Sequence, residues 1–221
     1  MEDITLRALK ILSSVDLIAA EDTRKTNNLL QHYNIHKPLI SYFSYNEVKR
    51  VPELIDKLNA GASLAVVSDA GTPGISDPVF RLIKSAIEEN IPLEAIPGAT
   101  AFLPALISSC IPIQPFLFEG FLPVKKGRQK KLTELAQEPR TIIFYESPYR
   151  ILRTLNDIQT HFGNRTVCIA RELTKKFEEI LTTTVAEAIT YFSSKSIKGE
   201  FVIIVAPAEK RDDLIDHSEE N

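Results

Sequence analysis

Residues 66–78 read VVSDAGTPGISDP. The apolar run SLAVV (63–67) passes without a break into Asp, Gly, Pro, Ser and Thr. A short apolar run of that kind reads as a buried strand. Small residues directly after it either turn the chain or let its backbone approach a ligand. Two other stretches repeat the pattern: Glu21-Asp22-Thr23-Arg24 after DLIAA (16–20), and Ile96-Pro97-Gly98-Ala99-Thr100 after PLEAI (92–96). In an open α/β sheet, ligands lie outside the carboxyl ends of the strands, which is where all three loops fall.

The segments around these loops alternate. Helical periodicity marks ITLRALKIL (4–12), KTNNLLQHY (25–33), EVKRVPELIDKLNA (47–60) and VFRLIKSAIEE (79–89). Asn46 is placed to cap the third of these, and Gly61 to stop it. Between them lie the strands DLIAA, PLISYF (38–43), SLAVV and PLEAI. That alternation predicts a mostly parallel sheet covered by helices on both faces. After IPGAT and the helix AFLPALISS (101–109), two prolines in IPIQP (111–115) mark a linker. Beyond it come the strand FLFEGFL (116–122), the helix QKKLTELAQ (129–137), the strand TIIFYE (141–146) and the helix RILRTLNDIQTHF (150–162). The strand TVCIARE (166–172), the β-prone EEILTTTV (178–185) and the strand EFVIIVA (200–206) follow, a mixed or antiparallel set. The expected organisation is α/β: an N-terminal domain over 1–112, a C-terminal mixed-sheet α+β domain over 113–208, and an acidic tail over 209–221.

With 44% hydrophobic and 25% charged residues in 221, the chain has the composition of a globular protein with a real core. No apolar run approaches the roughly 18 residues of a membrane helix, and the first residues, MEDITLRALK, lack a secretory pattern. Cys110 and Cys168 are too few for a disulfide framework, and His32, His36, His161 and His217 are scattered, so no metal is expected. The expected location is the cytoplasm.

The loops lack a Gly-Lys-Ser/Thr ending and a GxGxxG after a strand, which disfavours a nucleoside-triphosphate site. Gly71, Gly74 and Gly98 expose backbone groups, while Asp69 and Thr72 add side-chain oxygen, a set suited to a nucleoside with an amino-acid appendage. Plain turns are the competing reading. Glu146 and Arg150 in YESPYR, and Arg171, Glu172, Lys175 and Lys176 in ARELTKK, follow strands in the second half; surface ion pairs are the alternative there. Net charge is −3, yet VKKGRQKK (124–131) carries Lys125, Lys126, Arg128, Lys130 and Lys131 with no acid. Such a local field can hold phosphates, or be a solvated face.

Taken in order, AAEDTRKT, VVSDAGTPGISDP, IPGATA, FLFEGFLP, FYESPYRI, ARELTKKFEE and GEFVIIV resemble the bacterial 16S rRNA (cytidine-2′-O-)-methyltransferase family of the tetrapyrrole methylase superfamily, from Asp3 to about Pro207. The resemblance implies S-adenosylmethionine as cofactor, 16S rRNA within the small ribosomal subunit as partner, and a homodimer. It implies a cofactor wall at Asp69, Ala70, Gly71, Thr72 and Pro73, a second at Gly98, Ala99, Thr100 and Ala101, and Tyr145 and Ala170 from the C-terminal domain. Asp22, Arg24, Glu146, Arg171 and Lys175 are the expected catalytic set, with Asp22, Glu146 and Glu172 as candidate bases and Arg150 as a further anchor. Two rival functions stand beside this one: methylation of a tetrapyrrole carbon, and a ribosome-binding module without turnover. Three departures stand out. Val79 replaces a usual Gly, Tyr149 replaces a usual His, and the family's first strand with its Pro-x-Gly-Asn turn does not precede EDITLRAL. The last leads to the expectation of a weak or inactive enzyme.

Overall fold

Ile18 and Ala19, neighbours in one strand, are both fully buried and belong to opposite faces of a sheet. The structure, a computed structural model, describes residues 1–208, so the acidic tail expected over 209–221, His217 included, lies outside the described residues. The chain divides into two compact units, the first Met1–Thr100 and the second beginning at Ala101.

The first unit runs α1 (Leu6–Ser14), β1 (Leu17–Ala20), α2 (Thr23–His32), β2 (Leu39–Ser41), α3 (Glu47–Asn59), β3 (Leu64–Val67) and α4 (Phe80–Glu88). Its three strands are all parallel in the order β2-β1-β3. Ile18 packs with Leu12 of α1 and Leu30 of α2; Ala19 packs with Val51, Leu54 and Ile55 of α3 and Leu82 and Ala86 of α4. Successive strand residues face opposite ways, so helix pairs cover both faces. Thr5 caps α1 by accepting from the Ala8 amide. Asn46 precedes α3 as expected, but its side chain accepts from the Phe43 amide and donates to Ser41, fastening the preceding turn. The strand expected at PLEAI is absent. Residues 92–95 are exposed, Pro92 has no N–H to donate, and β3 remains the edge of the sheet.

The second unit runs α5 (Phe102–Ile107), β4 (Phe116–Phe121), α6 (Arg128–Leu135), β5 (Thr141–Glu146), α7 (Ile151–Phe162), β6 (Thr166–Arg171), β7 (Glu179–Thr184), α8 (Val185–Ser193) and β8 (Phe201–Val205). The sheet is mixed: in the order β4-β5-β8-β6-β7, only β4 and β5 run parallel. β8, FVIIV, is buried at every residue. Phe201, Ile203 and Val205 join the core beneath α6, α7 and α8, while Val202 and Ile204 join the one beneath α5. The expected boundary near residue 112 moves back, because Ala105, Leu106 and Ile111 pack on this second sheet and Thr182 donates to the Ser109 carbonyl. Helix α8 was not expected. Its signal is Thr184-x-x-Glu187, a capping box in which each side chain bonds the other's backbone amide.

Ile203 sits at the centre of this arrangement with no exposed surface. Ile203→Ala should destabilise the protein by about 2–5 kcal/mol, read as a lower urea midpoint with an unchanged denaturant slope. A cost under ~1 kcal/mol would show that the site collapses around the smaller side chain.

Candidate functional site

In the first unit, the loops after β1 and β3 are tied together at the carboxyl end of the sheet. The Glu21 amide donates to the Val67 carbonyl, the Asp22 amide to Asp69 Oδ1 at 3.1 Å, and the Asp69 amide to Glu21 Oε2 at 3.1 Å. Lys25 Nζ lies 2.5 Å from Asp69 Oδ2. Asp22 is the N-cap of α2: its Oδ1 accepts from the Arg24 amide, and Arg24 Nε and Nη2 lie 3.1 and 2.8 Å from its two oxygens. Those bonds to Arg24 lower the Asp22 carboxyl to about 2. Asp22 is therefore a helix cap held ionised near neutral pH, with Arg24 as its partner, which makes it a weak base.

The third loop joins through Thr72, whose hydroxyl donates to the Ala99 carbonyl at 2.9 Å. Gly71 has φ +71°, and a Cβ there would sit 3.4 Å from that carbonyl; a Cβ on Gly98 would lie 2.8 Å from Thr72 Oγ1. The glycines permit this close packing. Asp69, Ala70, Gly71, Gly98 and Ala99 remain exposed along the fastened pair, and Thr100 Oγ1 is buried without a hydrogen-bond partner. Exposed backbone beside an orphaned hydroxyl fits a polar small molecule. Ala101 is the N-cap residue of α5.

Asp77 escaped notice in the sequence. It lines a recess with Glu21, Tyr42, Val66, Val67, Ser68, Pro73 and Pro78. Burial first, then repulsion from Glu21 and Asp69, raises its carboxyl to about 6, against a hydrogen bond with Ser68. The available signal was the second Asp of SDAGTPGISDP, in a loop with Glu21 and Asp69 nearby.

In the second unit, β8 brings two separate motifs to one end of the sheet, because Phe201 is in register with both Glu146 and Arg171. Glu146 is 2% exposed. Its Oε1 accepts from the Ser147 amide and lies 2.7 Å from Arg150 Nε, and its Oε2 accepts from the Thr154 hydroxyl at 2.7 Å. Both oxygens are engaged and shut off from water, an arrangement that suits an anchor better than the expected base. Arg171 donates to the Lys198 carbonyl at 2.6 Å and lies 3.4 Å from Glu179. Lys175 lies 3.0 Å from Glu172 and 2.9 Å from Glu200, and these bonds outweigh its burial and hold it charged. Glu172, lowered by the Glu200 amide and by Lys175, stays ionised. Tyr145 packs edge-on to Phe118 and tilts against Phe121, at ring distances of 5.1 and 5.7 Å. Ala170 is buried with Ile143, Val202 and Ile204, so it offers no exposed wall.

The basic run divides. Lys125, Lys126 and Lys130 are exposed. Lys131 pairs with Glu119 at 2.7 Å, and Arg128 is 1% exposed with its Nε 2.8 Å from Asp157. The expectation that Arg128 meets RNA is corrected: its charge is spent inside the protein. Tyr149 and Phe177, both exposed, stand in the loops after β5 and β6. Among the described residues, no three His, Cys, Asp or Glu side chains gather to hold a metal ion, and no helix is long and apolar enough to cross a membrane.

Residues 1–189 match the family model of Tetrapyrrole (Corrin/Porphyrin) Methylases. The chain belongs to that family. A "Ribosomal RNA small subunit methyltransferase I" of Synechocystis sp. is 52% identical over 221 residues, 99% of this chain and 79% of the relative. Its namesake in Thermotoga maritima is 46% identical over 209 residues, 95% and 94% of the two chains. The fold is shared with solved structures of far lower identity. The methyltransferase CobJ superposes with TM-score 0.69 at 18% identity, over 95% of this chain and 90% of that one. A uroporphyrin-III C-methyl transferase from Thermus thermophilus, complexed with S-adenyl homocysteine, does so with TM-score 0.63 at 15% identity, over 92% and 91%.

The raised Asp77 carboxyl gives a pH-dependent prediction. Its folded pKa of about 6 lies above the ordinary 3.8, so the folded state binds the extra proton between those values and loses stability as pH rises through them. Asp77→Asn should match the wild type near pH 4 and exceed its Tm at pH 8. The gain should be about 2–4 °C, for roughly 1 kcal/mol after solvent screening. Equal Tm values at pH 8 would mean that the ionised carboxylate is fully solvated.

Proposed function

We propose that this chain is a cytoplasmic, homodimeric, S-adenosylmethionine-dependent methyltransferase acting on the ribose 2′-hydroxyl of a cytidine in 16S rRNA of the small ribosomal subunit. The observation that carries the reading is the pair of rRNA small subunit methyltransferase relatives, 52% and 46% identical over nearly the whole chain. The exposed stretches Asp69-Ala70-Gly71 and Gly98-Ala99, flanked by the half-buried Thr72 and Pro73 and by the orphaned Thr100 hydroxyl, would hold the cofactor. When bound, the cofactor supplies an activated methyl carbon on a positively charged sulfur.

The chain's own residues act mainly by alignment. Asp22, Glu146 and Glu172 are each engaged by cations, amides or a hydroxyl, so in this reading no dedicated carboxylate base acts, and the ribose hydroxyl loses its proton to solvent water as its oxygen takes the methyl group. Positioning a hydroxyl in line with a reactive carbon can by itself supply most of the required rate. RNA would lie along the end of the second sheet, where Lys125 and Lys126 follow β4, Tyr149 follows β5 and Phe177 follows β6. Lysines meet phosphates there, and exposed rings offer bases a stacking surface. Methylation of a tetrapyrrole carbon has in its favour the description of the family model and structures under 20% identical, which speak for the fold, whereas the relatives at 46% and 52% identity are rRNA methyltransferases by name.

Two experiments test the reading. Purified protein, labelled S-adenosylmethionine and small subunits lacking the modification should yield 2′-O-methylcytidine on nucleoside digestion, with no transfer to uroporphyrinogen. Label in the macrocycle, or on a base, would overturn the substrate assignment; cofactor binding without transfer would favour the ribosome-binding module. Gly71→Val should abolish cofactor binding by calorimetry with circular dichroism unchanged, because a branched side chain is strained at φ +71° and occupies the exposed wall. Unaltered affinity would remove that loop from the site.

A further inference from the structure

Three consecutive carbonyls in the loop after β4 are each held by a different arginine. Arg150 Nη1 donates to Leu122, Arg128 Nη1 to Pro123 and Arg153 Nη1 to Val124, each at 3.2 Å. Behind this clamp runs a polar chain whose centre, Arg128, Thr154 and Glu146, is buried. Arg128 Nε reaches Asp157 and its Nη2 reaches the Thr154 hydroxyl, both at 2.8 Å. Thr154 in turn donates its hydroxyl hydrogen bond to Glu146, which pairs with Arg150. The two arginines that enter it, Arg128 and Arg150, are balanced by two carboxylates, Asp157 and Glu146, and the hydroxyl satisfies one of each.

A charge network of this kind, in which Arg128, Thr154 and Glu146 are buried and Asp157 and Arg150 partly so, seldom raises stability above that of an apolar replacement. Its visible product is the placement of the next two residues. Lys125 and Lys126 are exposed, and the Arg128 amide closes the turn on the Lys125 carbonyl. A loop fixed at three successive carbonyls presents its lysines in one arrangement and loses less conformational freedom on binding.

We propose that Arg128, Thr154 and Asp157 are positioning residues that, with Arg150 and Arg153, lock the loop at 122–126 as a preformed phosphate-contacting finger for single-stranded rRNA. The inference rests on the RNA reading above. Thr154 is fully buried and neutral, so any effect of its replacement on RNA binding travels through the network.

The test compares wild type, Thr154→Val, Thr154→Ser and the exposed Arg153→Gln, each alone and combined with Lys125→Ala/Lys126→Ala. Affinity for small subunits is measured at several salt concentrations, beside cofactor affinity and hydrogen exchange of residues 124–128. Thr154→Val should weaken subunit binding about threefold to tenfold, at the lower end of the coupling found between partners in one network. It should also speed exchange in the loop and leave cofactor affinity unchanged, while Thr154→Ser restores both. In the lysine-free background, Thr154→Val should have no further effect, and the part of the Arg153→Gln loss that acts through the loop should vanish. Additive effects, or unchanged exchange in both Thr154→Val and Arg153→Gln, would overturn the clamp. Wild-type affinity in the double-lysine variant would overturn the finger's contact with phosphate. If the wild type itself ignores small subunits, it is the functional reading that fails, and loop exchange, which needs no RNA, still decides the clamp.

Discussion

Antiparallel pairing of β8 between β5 and β6 is the constraint on which the second unit depends. The strand is apolar on both faces, so it must lie in the middle of the sheet, and its direction decides which ends of its neighbours coincide. Because Phe201 is opposite both Glu146 and Arg171, the YESPYR and ARELTKK motifs share one end. With neighbouring strands about 4.8 Å apart, the ends of β5 and β6 stand about 10 Å from each other, a span of a few nucleotides. The run 122–131 comes to the same end because β4 is parallel to β5.

At this end, charge is mostly consumed by the protein. Arg128, Lys131, Arg150, Arg171 and Lys175 all have carboxylate partners inside the unit. What remains for an external polyanion is smaller than composition suggests, chiefly Lys125 and Lys126 on the loop after β4, since Lys130 of α6 lies 3.9 Å from Glu134. Specific recognition by a few fixed lysines and exposed rings differs from general attraction by a basic surface, as expected for a chain of net charge −3.

Much of the fold was legible because its signals are local. The apolar runs of β1, β3, β5, β6 and β8 and the periodic stretches of α2, α3, α4 and α7 lie where pattern places them. PLEAI failed because strand formation needs a neighbour to pair with, which no local pattern reveals. Helix α8 was hidden by β-branched residues on either side of its cap, although Thr184 and Glu187 carried the sign. Site residues were harder to read. The type of Glu146, Arg128 and Asp22 suggests chemistry, but the burial of the first two and the partners of all three suit anchors and a cap. Asp77 and Thr154 gain their interest from neighbours far away in sequence, Glu21 for one and Arg128 for the other. Spacing along the chain cannot supply that information.

The central claim is that RNA meets the end of the second sheet where β5 and β6 terminate beside the clamped loop. Ultraviolet cross-linking of the protein to small subunits, read out by peptide mass spectrometry, tests it most directly. Cross-links should fall on the peptides containing Lys125 and Lys126, Tyr149, and Phe177. Cross-links confined to the opposite end, around Asn164, Arg165 and Thr184, would contradict the account.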